Sequence, residues 1–125
     1  MVYQFMVLAP RKAGITHEYF KQRYERHMQM IEGLSKGVEP LSHTRFYPIH
    51  DSTTDKPVLM AGEPDGNDFS TIVLMEFQDQ AAFQRFYQSL LTEEANDKIM
   101  ADEAGFWERK GMKAFAVESC KTWGS

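Results

Sequence analysis

Short, nearly continuous apolar runs alternate along the chain with stretches in which apolar residues return every third or fourth position, the signatures of buried strands and of one-sided helices. Tyr3 to Leu8 mixes aromatic and aliphatic residues with no turn former before Pro10, which predicts a strand. Gly14 marks a connection, and Thr16 followed by Glu18 marks a helix start, with an acid near the positive helix end. Tyr19 stands where Glu or Gln would complete a capping box. Phe20, Tyr24, His27, Ile31 and Leu34 then share one helical stripe, which Gly33, Gly37 and Pro40 bring to an end. Residues 41–49, LSHTRFYPI, predict a second strand with Leu41, His43, Arg45 and Tyr47 on one face and Ser42, Thr44 and Phe46 on the other. From His50 to Asp68 polar residues gather around Pro57, Pro64 and Gly66, a long excursion of the functional or mobile kind. STIVLMEF is the strongest strand, followed by Ala82, Phe83, Phe86, Tyr87 and Leu90 at helical spacing. Thr92, backed by Glu93 and Glu94, caps a further helix with Ala95, Ile99, Asp102 and Phe106 on one side. Gly105 and Gly111 bracket its end, and MKAFAVES supplies the last strand.

Strand, helix, strand, strand, helix pair, strand is the order of an α+β fold, the ferredoxin-like split βαβ sandwich. It predicts a four-stranded antiparallel sheet with helices on one face, in one domain over residues 1–125. The other sheet face must be polar or covered. With nine Phe, five Tyr, two Trp and eight Met to hide, a second copy of the chain is the economical cover, so a homodimer is expected.

Composition adds mainly exclusions. Hydrophobic residues at 42% and charged residues at 26% describe an ordinary folded chain rather than a disordered one. A net charge of −4 argues against a nucleic-acid partner. The lone Cys120 forms neither an internal disulfide nor a Cys-rich metal cage. The apolar opening lacks a basic leader and is about half a membrane span, so the expected location is cytoplasmic, away from membranes. No phosphate loop, nucleotide fingerprint, zinc spacing or nucleophile elbow appears, and neither metal nor cofactor is expected. Aromatic residues and Met remain, and they fill cores or line pockets for organic ligands.

Candidate chemistry therefore lies in polar residues at apolar positions. His27 falls between Tyr24 and Ile31 on the buried stripe, where a neutral imidazole could exchange a proton. A core histidine satisfied by a backbone carbonyl is the other reading of that position. His43, Arg45 and Tyr47 set an imidazole, a guanidinium and a phenol on one strand face, fit to move a proton or hold an enolate or carboxylate, or else to form a polar dimer seam. Asp102, on the apolar side of its helix, calls for a cation or a ring N–H, with His27 and Arg45 as candidates; an ordinary structural ion pair would also explain it. His17, in a first helical turn, and His50, at the start of the excursion, read as solvated.

Three blocks, GITHEYFKQRYERHMQM, PLSHTRFY and ADEAGFWE, resemble the EthD-like branch of the dimeric α/β-barrel superfamily, particularly its small fungal members. Phe20, Tyr24 and His27 match the first-helix pattern, Ser42, His43, Thr44, Arg45 and Tyr47 the second block, and Asp102, Glu103 and Phe106 the third. One departure is HMQM, where relatives commonly place a Pro soon after the His. The resemblance implies a monomer that dimerises through its sheets and keeps a pocket between sheet and helices. Superfamily members include cofactor-free polyketide cyclases, lactone isomerases, dehydratases, decarboxylases and ring monooxygenases, and often use His with Tyr in that pocket. The expected function is a cofactor-independent enzyme of secondary metabolism working through the enolate of an aromatic or polyketide-like carbonyl compound, by cyclisation, dehydration, decarboxylation or isomerisation. His27 is the expected base, with His43 or Tyr47 donating to the enolate, Asp102 tied to the chemistry, Arg45 holding an acidic group, and Phe5, Phe20, Tyr24 and Phe46 as the apolar wall. A cofactor-free oxygenase of anthrone-like phenols and a non-catalytic small-molecule carrier are the alternatives.

Overall fold

In the computed structural model of the chain, which describes residues 2–63 and 68–124, Tyr3–Ala9 (β1), Ser42–Phe46 (β2), Thr71–Phe77 (β3) and Lys113–Val117 (β4) form one sheet. Its order is β2-β3-β1-β4 and every neighbouring pair is antiparallel, the ferredoxin-like arrangement. His17–Leu34 (α1), Gln80–Ser89 (α2) and Glu93–Glu103 (α3) connect the strands, and a short 3-10 turn, Arg109–Gly111, leads into β4. Among the described residues no helix is long and apolar enough to cross a membrane.

Register decides what each sheet face carries, because a strand alternates strictly. Val7 lies opposite Val73 and Phe5 opposite Met75, and these positions face the helices together with the buried Ala9 and Phe77. The intervening residues fall on the face that no helix covers. There Met6 pairs with both Leu74 and Phe115, and Phe46 pairs with Ile72.

Each helix starts on a side-chain cap. Thr16, Asp79 and Thr92 accept from the amides of Tyr19, Ala82 and Ala95, satisfying one otherwise unpaired N–H apiece. HMQM continues α1 without a break to Leu34, with His17, Phe20, Tyr24, His27, Met28 and Ile31 buried. On α3 the buried line is Ala95, Ile99 and Glu103, at a spacing of four, so Asp102 sits on the flank of the apolar stripe. Phe106 lies beyond the helix yet is fully buried, and its ring packs against Phe20, Tyr24 and His27.

One expectation needs correction. The second strand is shorter than residues 41–49, because Pro40 and Pro48 bracket it and proline cannot extend a ladder from its nitrogen. The excursion that begins at His50 is tied down over residues 50–58. His50 bridges to Pro57, and Asp51 accepts from the amides of Thr53 and Thr54. Asp55, in the left-handed region at φ 57°, bonds both Arg11 and the first amide of α1. Residues 64–67, which include the expected breakers Pro64 and Gly66, lie outside the described residues.

Candidate active site

Tyr24 and His27, successive members of the buried α1 stripe, reach a cavity of about 620 Å³ between the sheet and the helices. Phe5 and Met75 form its floor from the sheet, and Phe83, Phe86, Ile99 and Trp107 are among its walls. The polar residues at its edge include His27, Asn96, Glu103 and Arg109.

His27 is 1% exposed, so its orientation is set by its neighbours. Its Nδ1 is 2.8 Å from Asp102 Oδ2. Asp102 also accepts from Arg23, whose Nη2 is 3.2 Å from Oδ1. Burial pushes the Asp102 carboxyl up, but the His27 hydrogen bond and the nearby Arg23 charge outweigh it and hold the group below its ordinary value. An ionised carboxylate can only accept, so Nδ1 carries a ring proton, and it is Nε2 that holds the lone pair in the neutral form of the ring. Gly105 protects this arrangement: a Cβ there would stand 2.9 Å from Arg23 Nη2 and displace the guanidinium.

On the other side of the ring, Nε2 lies 3.8 Å from Glu103 Oε1. Glu103 is only 5% exposed, and Arg109 balances its charge through Nε at 2.8 Å and Nη2 at 3.3 Å. The imidazole thus stands between two acid–guanidinium pairs, with Phe106 and Trp107 presenting rings edge to face at 5.3 and 6.1 Å. A proton taken up at Nε2 would be flanked by two carboxylates inside an apolar shell, where charge is poorly screened. Such an arrangement could serve as a general base with a fixed tautomer. Among the described residues no group of three or more His, Cys, Asp or Glu is placed to hold a metal ion.

The strand-face candidates go elsewhere. His43 and Arg45 are in register with Met75 and Val73, on the helix side, but neither they nor Tyr47 line the His27 cavity. Arg45 grips Glu25 of α1 through Nε and Nη2, both at 2.6 Å, and Tyr47 donates to the same carboxylate. The Arg45 hydrogen bonds pull Glu25 below its usual range. Burial first, and then the acceptor Glu25, raises the Tyr47 phenol. His43 is lowered to about 4 by burial and by the Arg45 charge. The pairing of Arg45 with Glu25 corrects its expected role of holding a substrate acid. Phe46 also needs correction as a wall residue: pleat parity puts it on the uncovered face, 51% exposed. Phe20 packs inside the core against Tyr24 and Phe106, behind the cavity wall rather than on it.

His17 and His50 are not solvated as expected. Their rings stack with centroids 3.5 Å apart and 6° between planes, and together with Tyr47 and Asp55 they line a second cleft of about 670 Å³. His17 is lowered to about 4, by burial and then by the charges of His50 and Arg11, against the opposing pull of Asp55 and Glu18.

A family model described as the EthD domain matches residues 12–110. The chain therefore belongs to the EthD domain family. No curated protein matches it. Among solved structures, it resembles an EthD-like protein from Ralstonia eutropha JMP134 at 17% identity and TM-score 0.54, over 93% of this chain and 87% of the other. It also resembles a dimeric protein of ferredoxin-like fold from Bacteroides fragilis, at 13% identity and TM-score 0.56, over 94% and 96% of the two chains. A variant of SnoaB, a cofactor-independent oxygenase from Streptomyces nogalater, aligns at 12% identity and TM-score 0.56, over 99% and 98%. At these identities the likeness establishes the fold.

Proposed function

We propose that this EthD-domain chain is a cofactor-independent enzyme that removes a proton beside the carbonyl of an aromatic or polyketide-like compound held in the His27 cavity. The observation that carries this reading is the imidazole itself: buried, held by Asp102 at Nδ1, and free at Nε2 on the edge of an apolar cavity. Nε2 takes the proton, Asp102 and Glu103 stabilise the imidazolium, and the enolate goes on to cyclise, dehydrate or isomerise; a decarboxylation would reach the same enolate by loss of CO2, with the imidazolium returning a proton to carbon. A positioned base contributes about 10²–10⁴-fold. His43 and Tyr47 have no part in this step, because they do not line the cavity. The working unit is a homodimer closed over the uncovered sheet face, which would make the assembly a dimeric α/β barrel. Support comes from the apolar character of that face and from the dimeric neighbour of the same fold.

A general test uses 2-tetralone, a bicyclic aromatic ketone with acidic C1 hydrogens, in D2O. The protein is expected to accelerate C1 deuterium exchange, followed by NMR, and His27→Ala to cut that acceleration by about 10²-fold with the fold intact by circular dichroism. Tight binding without exchange would leave a carrier in place of an enzyme. The fold shared with SnoaB favours one second reading, a cofactor-free oxygenase in which the same carbanion reduces O2; oxygen uptake with a phenolic substrate distinguishes it.

A further inference from the structure

We infer that the His27 cavity takes an aromatic carboxylate, and that Arg109 binds its acid group. This rests on reading that cavity as the ligand site. Arg45 cannot serve, since Glu25 occupies it and it does not line the cavity. Arg109 does line it, the single Lys or Arg among the described lining residues. A guanidinium offers two edges that can each grip a carboxylate with parallel N–H bonds, one formed by Nε and a terminal nitrogen, the other by the two terminal nitrogens. Glu103 fills the first edge through Nε and Nη2. Among the described residues nothing hydrogen-bonds Nη1, so the second edge is open.

The surroundings suit an acid with an aromatic body. Glu103 is buried and therefore fixes the guanidinium plane, while the Arg109 side chain is half exposed at the start of the 3-10 turn, within reach of solvent. Glu103 stands between His27 Nε2 and Arg109. A ligand anchored on the open edge would have its body in the cavity that His27 also lines.

Calorimetric titration of the full chain with 2-naphthoate and with 2-naphthamide, a neutral probe of nearly the same shape, tests this directly. The wild type should bind naphthoate about tenfold more tightly than naphthamide. Arg109→Gln should abolish that preference, and Arg109→Lys should keep part of it. Equal affinities in the wild type, or a preference that survives in Arg109→Gln, would overturn the inference while leaving the cavity a ligand site. Binding of neither probe would sink the cavity reading itself. The wild-type comparison decides the matter even if Arg109→Gln fails to fold.

Discussion

Asp102 holds the His27 ring with one oxygen and Arg23 with the other, so in the proposed reaction its effect would run through orientation and tautomer rather than through contact with a substrate. Asp102→Asn removes the anion and lets the amide turn its donor toward Nδ1. The fraction of rings with a free Nε2 then falls. We expect 2-tetralone exchange to slow by about 10–10²-fold, with naphthamide affinity unaltered and the ¹⁵N spectrum of His27 changing from the Nδ1-protonated pattern to a mixture. A slower rate with an unaltered tautomer spectrum would return Asp102 to a structural ion pair. The pairing was legible in the sequence because each residue is polar in an apolar context, and burial forces such groups together. Glu103 was legible too, in the four-residue spacing of Ala95, Ile99 and Glu103, but extending the stripe to Phe106 drew the line through Asp102 instead. Arg109 was not legible: its reach depends on how the turn after α3 folds back, and no local pattern records that.

The same limit applies to whole elements. Strands and helices follow from local period and caps, and the described order matches the expected one. What the chain does between β2 and β3 depends on distant partners: Arg11, the α1 amide and the His17 ring all fix residues 50–57. This clamp has a pH signature. An unfolded histidine takes up a proton near 6.5, while His17 and His43 do so only at about 4 when folded. Between those values the unfolded chain binds more protons, so stability is full above 6.5 and falls as pH drops toward about 4. Around His17 the other charged or titratable groups are His50, Arg11, Asp55 and Glu18. Urea midpoints should decline across that window, and His17→Phe, which retains a ring for the stack, should flatten the decline to the share due to His43. A midpoint indifferent to pH from 6.5 to 4.5 would show that neither imidazole resists protonation.

At the level of the molecule, the uncovered sheet face is the largest feature that one copy of the chain leaves unresolved in energy. Met6, Leu8, Ile72 and Leu74 lie side by side on the two central strands, with Phe46 and Phe115 on the flanking ones. Phe46 and Phe115 are 51% and 41% exposed in one copy. Apolar area removed from water stabilises by about 25 cal/mol per Å², so burying this face against an identical one gives a two-fold interface its driving force. Leu74 is the informative position: it is paired to Met6 on one side and Thr44 on the other, and it points away from the His27 cavity. Leu74→Asp places a carboxylate, and by symmetry a second one, in the middle of the proposed seam, which is costly without a cation. Light scattering at micromolar concentration should give the wild type a mass twice the chain's 14.5 kDa and Leu74→Asp a mass near 14.5 kDa. Far-ultraviolet circular dichroism should match between the two, since the substitution leaves the helix-side core intact. If the wild type runs at 14.5 kDa, the face is wet in solution, and the two-fold barrel is wrong for this chain; if Leu74→Asp stays dimeric, its copies meet through some other surface.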